Sequence, residues 1–359
     1  AGEKLRQHHT PLAELHLARV LELDPQNAKG HFLFARLRRK QGSFDGMHEH
    51  LEAALKAGFS VERLDREQQF LLAQTGQFRD LKGFAGELLI DAGEDGPEAC
   101  EAVVNGMMLT YQLSAASGVI DAWAADYPED PQPLFCRGTL YAEQEKWPQA
   151  ISSFREALDR APDRTDIRVH LADALMKIRQ HKEAIREYRQ ALRESPSHVN
   201  AHVGLAECLL ITKQDDEART VLEQALRVAP DSFEANLVLG RLELTAGNSA
   251  VAVERLRTAI EAKGHSVQAR YALARALRAA GRNDESKKQF DRVGEQNDGL
   301  ANLDKLLDQL NKDPGRVKLR YEIGVALLEF GDPVEGAMWL ESVLEFDPQH
   351  KATHSALAG

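Results

Sequence analysis

Cysteine is scarce. The 359 residues hold only Cys100, Cys136 and Cys208, and no two of them form a CxxC. That spacing removes the usual signals for structural zinc, haem attachment and dithiol redox chemistry. Each cysteine falls at a helical position and reads as a small core residue. An odd number without a pairing pattern fits a reducing compartment, so a cytoplasmic location is expected. Apolar runs are short: no stretch of 18 apolar residues and no signal peptide occurs, so membrane insertion is not expected. Phosphate loops of the GxxxxGK and GxGxxG types are absent, as is the GxSxG elbow of serine hydrolases. No cofactor and no catalytic residue is therefore expected. The net charge of −11 argues against nucleic acid, which needs a concentrated basic surface.

Histidine is the one chemically suggestive type in good supply. Six of the 13 lie in the first 50 residues, at His8, His9, His16, His31, His48 and His50. His48 and His50 are two apart on a helix and face different ways, and His8 and His16 are two turns apart. Solvated or groove-lining histidines are expected, and no metal site. Asp215 and Asp216 sit at a helix start, where carboxylates answer the helix dipole better than they serve as an acid–base pair.

What the chain has in abundance is repetition. Pro162, Pro196 and Pro230 are 34 residues apart, as are Ala150, Ala184 and Ala218, and Ala157, Ala191 and Ala225. A bulky residue recurs between the alanines (Phe154, Tyr188, Leu222), and a small one upstream (Gly138, Ala172, Ala206). Such a period marks an array of stacked units. Within one unit, Val169, Leu171, Ala172, Leu175 and Ile178 recur at helical steps. So do Ala184, Ile185, Tyr188, Ala191 and Leu192, after the polar break Arg179–His181. Each helix spans three to four turns and needs its neighbours for stability. The recurring small residues mark where paired helices approach most closely.

This pattern resembles the tetratricopeptide repeat family: large residues at positions 4 and 11, Leu-Gly or Leu-Ala at 7 and 8, Ala at 20 and 27, a large residue at 24 and Pro at 32. Unit 131–164 supplies Leu134, Gly138, Tyr141, Ala150, Phe154, Ala157 and Pro162, and departs at Arg137. The resemblance implies an all-α fold, an α-α superhelix (solenoid) of stacked 34-residue helix-turn-helix units. Residues 1–27 read as a partial repeat and 28–130 as degenerate units with a loop-like break at 91–98. Residues 131–300 read as regular units. Gly294, Asn297-Asp298 and Gly299 suggest a turn. After it, 301–316 reads as an inserted half-repeat helix carrying Leu303, Leu306, Leu307 and Leu310, ended by Asp313-Pro314-Gly315. Residues 317–359 form a last unit plus a truncated helix. Both ends cut through repeats, so a fragment of a longer protein is expected.

By resemblance, positions 2, 5, 9, 12 and 13 line a concave groove that holds peptides or partner helices. Carried over position by position, the groove has a basic zone of Lys29, Arg36, Arg39, Lys40, Arg63 and Arg66. An acidic zone follows, with Glu98, Glu101, Glu143, Asp166, Asp173 and Glu207, and then a second basic zone of Arg241, Arg275 and Arg278. Phe32, Phe135, Tyr271 and Tyr321 add aromatic surface. The Lys-and-Asn clamp for a chaperone's C-terminal carboxylate is absent from every unit. The expected function is a non-catalytic scaffold for a protein or peptide partner. The alternative is the substrate-recruiting or regulatory region of a larger enzyme whose catalytic domain lies outside residues 1–359. Uncapped ends leave self-association open.

Overall fold

Local signals place the helix boundaries. In a computed structural model, which describes residues 10–79, 81, 85–90, 93–313 and 316–358, several helices begin at side-chain caps. The side chains of Asn27, His198, Ser232 and Ser266 each accept a backbone N–H at the third residue beyond them, meeting a donor the helix itself cannot satisfy. The turn inside a unit adopts a left-handed residue at its fifteenth position. Gly42, Gly76, Gly247 and Gly281 stand there, but so do Tyr111, Glu145, Arg179 and Lys213, at φ between 56° and 63°.

Among the described residues the chain is helical throughout, with no strand, and it divides into two compact units, Ala1–Ser195 and Pro196–Gly359. The first holds α1 (Thr10–Leu23), α2 (Ala28–Lys40), α3 (Phe44–Lys56), α4 (Val61–Gln74) and a short α5 (Ala85–Ile90). After a single 3-10 turn come α6 (Gly96–Leu109), α7 (Leu113–Asp126), α8 (Gln132–Glu143), α9 (Trp147–Arg160), α10 (Thr165–Lys177) and α11 (His181–Glu194). The second holds α12 (Val199–Ile211), α13 (Asp215–Val228), α14 (Phe233–Thr245), α15 (Ser249–Ala262) and α16 (Val267–Ala279). It ends with α17 (Asn283–Lys312), α18 (Val317–Phe330), α19 (Pro333–Phe346) and α20 (Lys351–Leu357). Within each unit, consecutive helices pack against one another in pairs, α4 and α5 excepted, and successive pairs stack. This is an α-α solenoid architecture.

The repeating residues make the core. Ala150, Ala157, Ala184, Ala191, Ala218 and Ala225 are fully buried, with Phe154, Tyr188 and Leu222 between them. Gly138 shows why its position stays small: a Cβ there would lie 2.4 Å from the Phe154 ring. Interiors this closely packed have no room for a methyl group without displacement.

Three boundaries differ from the sequence expectation. The loop expected over 91–98 is shorter, because α6 already begins at Gly96 with Pro97 in its first turn, a place where the missing N–H costs nothing. Among the described residues the second helix of unit 62–95 covers Ala85–Ile90, and α4 packs directly on α6. Gly106 permits this approach: a Cβ there would stand 1.8 Å from the Ala73 carbonyl oxygen. The third concerns 301–316, which is not a separate inserted helix. One helix of 30 residues runs from Asn283 to Lys312, and no turn occurs at 294–300. Gly299 lies in that helix where a Cβ would be 2.3 Å from the Phe330 ring, so it is a packing glycine rather than a turn glycine. Leu303 and Leu310 are buried with Leu319, Ile323 and Leu327, and Leu306 and Leu307 pack alongside. Burial of that stripe outweighs the helix penalty of about 1 kcal/mol for each of two glycines. His8, His9, Pro314 and Gly315, which entered the sequence reading, lie outside the described residues.

Candidate functional site

The two basic zones read from the sequence meet opposite fates. On α2, Arg36, Arg39 and Lys40 fall at i, i+3 and i+4 and form one stripe. That stripe does not face solvent. Arg36 Nε and Arg39 Nε hold the two oxygens of Glu67, on α4, at 3.0 and 2.6 Å. Arg36 also reaches Asp95 at 3.2 Å, and Arg39 lies 3.5 Å from Glu98. Lys40 Nζ stands 3.1 Å from Glu98 and 2.7 Å from Glu101 on α6. The chain of contacts continues, with Gln132 donating to Glu101 at 2.8 Å and Arg164 donating to Gln132 at 3.0 Å. Arg39 and Glu67 are fully buried, and Arg36 and Glu98 nearly so.

Electrostatics within the stripe are mutual. Burial alone would disfavour the Glu67 carboxylate, but the Arg39 and Arg36 guanidiniums outweigh it and hold its pKa below the usual carboxylate range. Burial likewise opposes the charge on Lys40, and Glu101 and Glu98 more than compensate, raising its pKa. Arg36, Arg39 and Lys40 of the first basic zone thus form one internal ion network with Glu67, Asp95 and the front of the acidic zone, Glu98 and Glu101. Arg36, Arg39, Lys40, Glu98 and Glu101 are spent on the fold, which corrects the reading of them as partner-facing. Glu67 was missed because it sits one place off the expected groove positions. Its signal was the pair of arginines one helix earlier, spaced to share a single carboxylate.

Other expected groove residues are also engaged. Phe32 is buried and stacks on Phe59 at 4.5 Å between ring centroids. Arg63 keeps an exposed side chain near Asp95, at 3.6 Å, and Arg66 is half-buried. Phe135 meets His170 edge-on at 5.0 Å. Asp173 accepts a hydrogen bond from the Tyr188 hydroxyl, Glu207 is half-buried, and Tyr321 lies against His350.

In the second unit the stripe stays open. Tyr271, Arg275 and Arg278 follow one another down one face of α16, and Arg241 holds on α14 the same phase as Arg275. The helices α12, α14 and α16 are neighbours. All four side chains are exposed, and no ion pair to any of the three arginines occurs among the described residues. Arg278 lies over the Phe290 ring at 5.2 Å. Ile211, at the end of α12, adds an exposed apolar residue. Among the described residues no cluster of histidine, cysteine and carboxylates is placed to hold a metal, and no helix is long and apolar enough to cross a membrane.

The family model described as "Tetratricopeptide repeat" matches residues 141–187, 179–242 and 243–310. Residues 141–310 are built on tetratricopeptide repeats. Solved structures with a similar arrangement include MamA, at 19% identity and a TM-score of 0.42 over 47% of this chain and 92% of that one. A MamA fragment from Desulfovibrio magneticus RS-1 has 17% identity and a TM-score of 0.42, covering 46% of this chain and 94% of its own. YrrB, described as a tetratricopeptide protein with an unusual peptide-binding site, has 21% identity and a TM-score of 0.37 over 56% of this chain and 96% of its own. No curated protein matched by sequence. Tetratricopeptide arrays are protein-interaction scaffolds, a generally non-catalytic class, and the stripe of α14 and α16 leaves three arginines exposed and without an ion pair among the described residues.

Proposed function

We propose that the protein is a scaffold that binds an acidic segment of a partner protein along the first-helix face of its second unit. The observation that carries this is the row of exposed side chains Arg241, Tyr271, Arg275 and Arg278. Core packing does not require them there, and no carboxylate of the chain answers the arginines among the described residues. A chain with a net charge of −11 repels acidic partners on average, so a local basic and aromatic row gives such a partner both a place and a register. Tyr271 supplies area that an aliphatic anchor of the partner can cover.

Affinity capture with the full chain tests the reading. The partner retained by the unmodified protein should be lost, or held about tenfold more weakly, by the double variant Arg241→Glu, Arg275→Glu, and its binding should weaken as salt rises. Reversing Arg155 and Arg189, on second helices of the first unit, should leave capture unchanged. Equal loss from both pairs would refute the assignment of the face.

A further inference from the structure

The repeat provides an internal control for one arginine. Arg168 and Arg270 are each the fourth residue of a unit, three 34-residue periods apart. Each donates through Nη2 to the carbonyl six residues earlier, Pro162 for Arg168 and Gly264 for Arg270. Arg168 is neutralised, with Nη1 3.0 Å from Glu187 and Nε 3.5 Å from Glu194. At the same phase beside Arg270 stand Gln289 and Gln296. Gln289 accepts from Nη1 at 3.2 Å but brings no charge. Gln296 turns its amide nitrogen to the carbonyls of His265 and Phe330, at 2.6 and 3.2 Å. Where unit 165–198 has Gln190, this unit has a second guanidinium, Arg292. Two carboxylates have gone and one cation has been added. Burial and the neighbouring Arg292 charge together push the Arg270 pKa below its ordinary value.

Arg270, Arg292 and Gln296 line a pocket of about 520 Å³ that also includes Leu328, Phe330 and Pro333. Gln296 is only 5% exposed, yet its Oε1 has no donor; Arg270 Nε has no acceptor, as Arg168 Nε has none, but Arg168 has carboxylates beside it and Arg270 does not. Arg292 makes no ion pair among the described residues. A buried acceptor left without a donor is destabilising, and an occupant that supplies the donor relieves it. The pocket therefore asks for a negative group beside an N–H. Glu295 and Glu329 also line it, and their charge favours a single carboxylate over a doubly charged phosphate.

We propose that this pocket binds the C-terminal end of a peptide chain. The terminal carboxylate meets Arg270 and Arg292, the last amide N–H donates to Gln296 Oε1, and an apolar last side chain lies against Leu328, Phe330 and Pro333. None of these residues belongs to the exposed row on α14 and α16, so this is a second site, and it stands or falls separately from that face.

The test titrates the full chain with an acetylated glycyl-alanyl-leucine tripeptide, as the free acid and as the C-terminal amide, and with inorganic phosphate, followed by ligand-observed NMR. The free acid should bind at millimolar concentration or better, and the amide about tenfold more weakly. Arg292→Gln, at an exposed position, should weaken the acid by about tenfold without changing the melting temperature. The double variant Gln289→Glu, Gln296→Glu restores the carboxylates found beside Arg168. It should abolish binding and raise the melting temperature. Arg241→Glu with Arg275→Glu should leave this titration as it was. Absence of binding at millimolar acid, equal binding of acid and amide, displacement of the acid by an equal concentration of phosphate, or an Arg292→Gln variant that titrates like the unmodified chain would each overturn the proposal.

Discussion

Arg36 and Arg39 on α2, and Arg275 and Arg278 on α16, occupy the same two phases of the repeat, yet the first pair is buried and the second exposed. The difference lies in what stands opposite. Glu67 on α4 divides its two oxygens between Arg36 and Arg39. Among the described residues no carboxylate pairs with Arg275 or Arg278, and for Arg241, at the phase of Arg36, the residue at the Glu67 phase one unit later is Ala272, which offers no acceptor. A position in a repeat therefore sets where a side chain starts. The neighbour decides whether its charge is consumed by the fold or left for a partner. Consumed charge shows up as stability, and unspent charge is what the proposed function gives to a partner.

The sharpest way to break this comparison is to remove the shared carboxylate. Glu67→Ala leaves two arginines in the interior without their main counter-ion, and breaking such a buried pair costs about 3–5 kcal/mol. Urea unfolding should show this loss for Glu67→Ala and a change below about 0.5 kcal/mol for Arg275→Glu. Similar losses at both sites would erase the distinction between the regions.

Helix approach is the next largest effect. Gly106→Ala drives a methyl group into the Ala73 carbonyl between α4 and α6, with an expected cost of about 1–3 kcal/mol. Hydrogen exchange should then accelerate in α4 and α6 and stay slow in α14 and α16. Uniform acceleration would mean that the two regions do not respond separately.

Acid separates them by another route. Glu67 is held below the usual carboxylate range by Arg39 and Arg36 against the opposing effect of burial. Its contribution is therefore whole above the ordinary glutamate value of about 4.3 and is lost as pH falls through the lower folded value. Exchange protection in α2 and α4 should collapse below about pH 4, before that of α14 and α16. A stability profile flat through that range would contradict the network's role.

The smallest expected effect concerns the turns. Lys213 holds a left-handed conformation that glycine holds at the same phase in other units. Lys213→Gly should stabilise the second unit by about 0.5–1 kcal/mol, read as a small rise in melting temperature. A loss of stability would show that the lysine side chain contributes more than its backbone strain costs.

Helical periodicity, the 34-residue alanine and proline phase and the small residues at close approaches are all local patterns, and they were legible because each helix buries the same face in every unit. Gly138 and Ala184 needed no neighbour to be interpreted. The glycines of α17 did, since Gly299 reads as a turn until Phe330 is seen packed where its side chain would be. The basic and acidic zones also needed one, because charges on separate helices cancel only when the stack brings them within about 3 Å. Arg270 differs from Arg168 through residues around twenty places later on the paired helix, a difference the alignment of units contains but whose consequence, a pocket with an unanswered cation and an unanswered acceptor, exists only once those helices are packed. Sequence determined the fold because backbone periodicity and apolar burial act within a unit and its neighbour. Tertiary structure decided the sites because the fate of a charge depends on what desolvates it and what stands opposite.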